Sequence, residues 1–298
     1  MAVGATALAK REAIVSKLVA IEEMAGVDIL CSDKTGTITE NKLTLAEITP
    51  FEGFKEDDVL LAAILASREE DQDPIDIAII DSKEAQGLDD RLHTYTVTNF
   101  KPFDAVIKRT EATVRDSDGG EFSVAKGAPQ VILTLAGGGE DLSGTVNNLS
   151  ETFAKKGYRA LGVAQSDAHG TWTYIGILGL HDPPRDDSAS TIKTATDMGV
   201  DVKMVTGDHV AIAREVAREV NLKTDIITAD AFIKKSDTEA AEIVEKADGF
   251  AEVFPEHKYR IVSLLQSQNH IVGMTGDGVN DAPALNTADV GIAVAGAT

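Results

Sequence analysis

The chain has 298 residues, with 28 Lys and Arg against 49 Asp and Glu, a formal charge of −21, and 43% apolar residues. That is ample for a hydrophobic core and fits one large or two modest domains. The acidity excludes nucleic acid as the main partner and argues against an anionic membrane surface, since both need a basic footprint.

In chain order, residues 8–24 carry apolar positions at loose helical spacing, followed by a short apolar run at 27–31 that stops in Ser32-Asp33-Lys34-Thr35-Gly36-Thr37. Such a run reads as a buried parallel strand. The stretch 50–178 opens with helices near 56–67 and 74–86. It then alternates like antiparallel strands at 95–100, 109–115, 122–126, 159–165 and 172–178, with a hairpin turn at Asp118-Gly119-Gly120. Residues 136–144 read as a glycine-rich surface loop. From about 180, helices (188–198, 209–220, 237–247, 256–267) alternate with strands (200–205, 225–228, 249–253, 271–275, 290–294). Alternation of this kind predicts a parallel sheet wrapped on both faces. The expected fold is an α/β, Rossmann-like domain (1–49 and 179–298) with an inserted α+β domain built on an antiparallel sheet (50–178).

Three apolar strands end in an acidic residue: Asp33, Asp208 and Asp277, with Asp281 one helical turn after Asp277. Ligands of open parallel sheets bind outside the carboxyl ends of the strands. One such Asp alone is a turn or a helix cap; three together, each beside Thr or Gly, point to a site. Gathered carboxylates need a cation, and hard oxygens with open positions suit Mg²⁺ beside a phosphate. Asp33 lies among small and hydroxyl residues that leave room for a phosphoryl group, and a carboxylate can act as a nucleophile, giving an acyl phosphate. Thr206 and Gly207 offer a hydroxyl and an N–H to phosphate oxygens. Lys258, one turn after Pro255, is either a point charge on the phosphoryl group or a surface lysine.

Asp33-Lys34-Thr35-Gly36-Thr37 resembles the phosphorylation motif of the P-type ATPases, within the haloacid dehalogenase-like superfamily. Thr206-Gly207-Asp208, Pro255 with Lys258, and the run 275–281 from Thr275 to Asp281 resemble its other motifs, in order. The resemblance implies that Asp33 is transiently phosphorylated and that Asp33, the Thr35 carbonyl and Asp277 hold Mg²⁺. It further implies that Lys34 belongs to the catalytic loop, that Thr206, Gly207, Lys258 and Asn280 contact the phosphoryl group, and that Asp208 and Asp281 organise the site. Phosphatases of the same superfamily carry a second Asp two positions after the nucleophile; here that position is Thr35.

The inserted segments 100–110, 126–129 and 157–160 resemble the nucleotide-binding domain of the same family. ATP is then the expected substrate, with Phe103 stacked on adenine, Lys108, Lys126 with Gly127, and Arg159 as its cationic positions, and Asp73 and Asp76 as an acidic pair near the base. Asp182-Pro183-Pro184-Arg185 resembles the return hinge, whose Asp and Arg help to close the domains on ATP. Neither a P-loop nor a full dinucleotide fingerprint occurs. Details around 19–23, 29–31 and 108–110 are most similar to the plasma-membrane proton-pumping branch. No Thr-Gly-Glu loop of an actuator domain and no apolar run of about 18 residues is present, so no direct bilayer contact is expected. The chain thus resembles the cytoplasmic loop of a membrane pump, monomeric by itself, whose partners would be that pump's actuator domain and membrane helices. A lone phosphatase and a non-catalytic nucleotide-binding module are the competing readings. Cys31 reads as core, and the six histidines show no metal-ligand spacing.

Overall fold

The computed structural model describes residues 19–83, 87–276 and 281–293. The start of the expected N-terminal helix lies outside them; its described end is α1 (Val19–Glu23). In chain order there follow β1 (Ile29–Asp33), β2 (Thr44–Pro50), α2 (Glu56–Leu65), α3 (Pro74–Asp81), α4 (Asp89–Leu92), β3 (Tyr95–Lys101), β4 (Arg109–Asp116), β5 (Glu121–Gly127), α5 (Pro129–Leu135), α6 (Glu140–Lys155), β6 (Arg159–Ser166) and β7 (Trp172–His181). The chain continues with α7 (Ser188–Asp197), β8 (Asp201–Val205), α8 (Val210–Glu219), β9 (Ile226–Thr228), α9 (Asp237–Lys246), β10 (Gly249–Ala251), α10 (Pro255–Ser267), β11 (Val272–Gly276), α11 (Ala282–Thr287) and β12 (Val290–Ala293).

The chain divides into two units, residues 1–41 with 183–298 and residues 42–182. The boundaries expected at 49/50 and 178/179 fall inside β2 and inside β7. The reason is that β2 pairs antiparallel with β7 from Thr44↔His181 to Pro50↔Gly176. The strand goes where its hydrogen bonds go, so both connections belong to the antiparallel sheet.

In the first unit six parallel strands run in the order β12-β11-β1-β8-β10-β9. Central β1 is flanked by β11 (Ile29↔Val272) and β8 (Ile29↔Asp201). Alternate side chains point to opposite faces. Ile29 and Cys31 therefore pack with α9 and α10, while Leu30 joins Met204 and the apolar faces of α7 and α8. Cys31 is core, and burial pushes its thiol up to about 12.

The second unit is a six-stranded antiparallel sheet, β2-β7-β6-β5-β4-β3. Helix α2, buried from Val59 to Leu65, covers one face, and α5 and α6 cover the other. The loop expected over 136–144 is in part a helix. α6 begins at Glu140, with Glu140 and Asp141 in its first turn, and stripes Leu142, Val146, Leu149 and Phe153 along one side. A stripe at that spacing outweighs one interior glycine, Gly144, whose cost is about 1 kcal/mol.

Tyr174 stacks on Phe51 with ring centroids 5.1 Å apart, and its hydroxyl is buried without a hydrogen-bond partner among the described residues. Burial pushes the phenol up. Tyr174→Phe removes an unsatisfied hydroxyl and keeps the stack, so it is expected to stabilise the fold by about 1 kcal/mol. Thermal unfolding checks this; a lower melting temperature would mean that the hydroxyl does have a partner.

Candidate active site

In the first unit, β1, β8 and β11 run parallel and end at the same edge of the sheet, so the loops that follow them converge there. Asp33 closes β1, is 6% exposed, and accepts the Lys34 N–H at 2.9 Å. The chain then turns through Lys34–Ile38, with Thr35 extended and Gly36 at φ +74°, where a side chain would be strained. The Lys34 ammonium is not solvated. It is buried against Asp208 Oδ2 at 2.9 Å, tying the Asp33 loop to the loop after β8. In that second loop Thr206 is buried, and its hydroxyl accepts the Asp208 N–H at 3.1 Å. Gly207 is exposed between them.

Lys258 lies in the first turn of α10 and settles the open question of its environment. Its ammonium bridges Asp33 at 3.1 Å and Asp281 at 2.7 Å, with side chains 10% or less exposed. Burial alone would lower the Lys258 pKa; attraction to Asp33 and hydrogen bonding to Asp281 outweigh it and raise it. Burial pushes the Asp33 carboxyl up to about 6, Lys258 opposes this, and Asp281 adds to it. Gly276, at the end of β11, lies against Asp281 so closely that any Cβ would collide with the carboxylate.

Asp277 and Asn280 lie outside the described residues. Among the described residues no three His, Cys, Asp or Glu side chains form a metal cluster by themselves. The donors do suit a divalent cation. Asp33, Asp208 and Asp281 are set against two ammoniums, Lys34 and Lys258, and Asp281 Oδ2 is buried without a hydrogen-bond partner among the described residues. Hard oxygens with residual negative charge are what Mg²⁺ takes, usually from one or two carboxylates.

Arg185 is placed with this loop: its guanidinium donates to the Gly36 carbonyl at 2.9 Å. Asp182 belongs to the second unit, buried and accepting the Lys42 N–H at 3.2 Å.

The second unit holds a cavity of about 570 Å³ lined by Asp73, Asp76, Phe103, Lys108, Thr110, Lys126, Gly127 and Arg159 among others. All seven residues expected there from 73 to 159 are thus brought together. Asp73 caps α3, its Oδ1 accepting the Ile75 N–H at 2.8 Å. Phe103 is 57% exposed on the loop between β3 and β4. Lys108 and Arg159 are exposed and Lys126 is buried. Thr110 and the Ala66 carbonyl escaped the sequence reading. Thr110 reaches the cavity through its pairing with Lys126 across β4 and β5, and the packing of α2 on the sheet brings the Ala66 carbonyl to the Thr110 hydroxyl.

Residues 27–289 match the haloacid dehalogenase-like hydrolase family. All of this chain aligns with a protein named as a cation-transporting ATPase in Methanocaldococcus jannaschii, at 54% identity over 304 residues and 37% of that protein's length. It also aligns throughout with plasma membrane ATPases 1 and 2 of Saccharomyces cerevisiae, at 47% identity over 310 residues and 34% and 33% of their lengths. The chain spans about a third of the relatives it matches. No described helix is long and apolar enough to cross a membrane. With buried Asp33 at the end of the central strand and the family match running from the approach to β1 to the residue before β12, the chain belongs to the haloacid dehalogenase-like hydrolases.

Proposed function

We propose that this chain is the ATP-binding, autophosphorylating unit of a cation-transporting P-type ATPase, of the proton-exporting plasma-membrane branch. The observation that carries the reading is Asp33 itself: buried, beside the Lys258 ammonium, and followed two positions later by Thr35. ATP is held in the cavity of the second unit, Phe103 against adenine and Lys108 and Arg159 towards the phosphates. An Asp33 carboxylate oxygen attacks the γ-phosphorus, forming the acyl-phosphate O–P bond. The bond from that phosphorus to the β,γ-bridging oxygen breaks, and ADP leaves with the electron pair. Lys258 neutralises charge on the phosphoryl oxygens. The Thr206 hydroxyl, which accepts from the Asp208 N–H, keeps its own proton to donate, and Gly207 offers its N–H. Preorganised donors and cations of this kind are the main source of phosphoryl-transfer catalysis. Asp33, the Thr35 carbonyl and Asp277 would hold Mg²⁺, which when bound would supply further charge neutralisation.

Hydrolysis of the acyl phosphate needs a general base. Thr35 cannot serve, and loss of such a group typically costs ~10²–10⁴ in rate. The phosphoenzyme therefore persists, which suits a pump whose actuator domain completes the cycle on the cytoplasmic face of the membrane. Incubation with γ-labelled ATP is expected to leave an acid-stable, hydroxylamine-labile label on the chain. A label that persists in Asp33→Asn would overturn the reading. Rapid turnover of small phosphate esters without nucleotide would favour a phosphatase instead.

A further inference from the structure

Lys126 is buried, and its ammonium meets three acceptors of the protein itself: Asp76 Oδ1 at 2.7 Å, the Ala66 carbonyl at 2.8 Å and Thr110 Oγ1 at 3.0 Å. An ammonium has three donors, so none is left over. The other Asp76 oxygen accepts the Arg68 N–H at 2.8 Å, and the Thr110 hydroxyl donates to the Ala66 carbonyl at 2.7 Å. Side chains of Lys126 and Asp76 are 2% and 6% exposed. The network is closed, and it joins α3, the turn after α2, β4 and β5. A closed buried network rigidifies the elements that share it.

We propose that Lys126 is a positioning residue of the nucleotide cavity: it fastens α3 and the 66–68 turn to the sheet as one wall, and it does not contact phosphate. This rests on the nucleotide reading of the cavity given above. Burial lowers the Lys126 pKa and Asp76 counters it, as expected of an internal pair. A cation that serves phosphate needs an open donor, and the exposed Lys108 on the same cavity supplies one.

The test is displacement of a fluorescent ATP analogue by ATP and by adenosine, on the full chain with folding checked by circular dichroism. Lys126→Met is expected to weaken ATP and adenosine by the same factor, about tenfold or more, because Asp76 is left buried and unpaired. Asp76→Leu/Lys126→Met, with no stranded charge, is expected to recover part of that loss for both ligands. Lys108→Ala is expected to weaken ATP about fivefold and leave adenosine unchanged, the signature of a phosphate contact. A loss in Lys126→Met confined to ATP, or no loss at all, overturns the proposal. If Lys126→Met does not fold, the double variant decides. A wild-type ratio of ATP to adenosine affinity supports positioning, and a fall in that ratio overturns it. A wild-type chain that binds neither ligand overturns the nucleotide reading and this inference with it, whereas failure in the variants alone overturns only the inference.

Discussion

Asp33→Asn is expected to abolish phosphoenzyme formation and, in the absence of Mg²⁺, to make the chain more stable. Both results come from one fact, that Asp33, the proposed nucleophile, is a carboxylate buried beside another, Asp281, with one ammonium between them. Burial raises the Asp33 carboxyl from 3.8 to about 6. The folded state thus binds a proton more tightly than the unfolded chain does. Its stabilising contribution is complete below pH 3.8 and is lost as pH rises through about 6. At neutral pH the wild type carries this as strain; Asn cannot ionise and does not. The gain is about 1–3 kcal/mol, since one pKa unit corresponds to about 1.4 kcal/mol and the site relaxes in part. Asn keeps an oxygen for the Lys34 N–H, and Lys258 keeps Asp281, so no new unpaired group offsets the gain. Metal-free melting temperatures at pH 5 and 7.5 should therefore differ less in the variant than in the wild type. An unaltered pH slope would show that Asp33 is not strained. A stabilised but inactive nucleophile variant is the usual trade between function and stability.

The parts of the molecule that sequence made legible share a physical cause. β1, β8 and β11 are buried on both faces, so they read as short apolar runs, and each stops at polar residues that cannot stay inside. That is why Asp33, Thr206 and Gly276 could be placed at strand ends before any coordinates. β2 was invisible because it is an edge strand, half-buried, with Glu47 in the middle and Pro50 at its end; it is a strand through its pairing with β7. α6 was masked by Gly137–Gly139 and Gly144, although its stripe of Leu142, Val146, Leu149 and Phe153 was there to be counted. The ion pairs were not legible at all. Lys34 meets Asp208 across 174 positions of sequence, and Lys126 meets Asp76 across 50, through register and helix packing that residue identity does not encode. A lysine beside an active-site aspartate, or in a binding segment, reads from sequence as solvated or as facing substrate. Here both lysines face inward, and the chemistry they support is that of the carboxylates they hold.

Lys258→Met should have the larger structural cost. In the wild type one ammonium serves two carboxylates, Asp33 at 3.1 Å and Asp281 at 2.7 Å, where the Asp281 side chain is 1% exposed. Removing the cation and keeping the volume strands both charges. Breaking a buried ion pair from one side costs about 3–5 kcal/mol, mostly as the penalty of the charge left behind. The chain has one escape, which is to protonate the carboxyls. The same group that lowers the Asp33 pKa is gone, so Asp33 titrates higher than in the wild type, and the folded state is favoured by low pH. The deficit in melting temperature against wild type is thus expected to be largest near pH 8 and to shrink by pH 5. Lys258→Met/Asp281→Asn removes one stranded charge with the cation and should recover part of the stability at pH 8. It should not recover phosphorylation, because the charge that Lys258 presents to the phosphoryl group is still missing, a loss of about 10²–10³ in rate. Equal deficits at both pH values would show that packing, not charge, is what Lys258 contributes. Recovery of the phosphoenzyme in the double variant would show that Lys258 acts only by restraining Asp281, and would move the electrostatic role in the transfer step to other cations of the site.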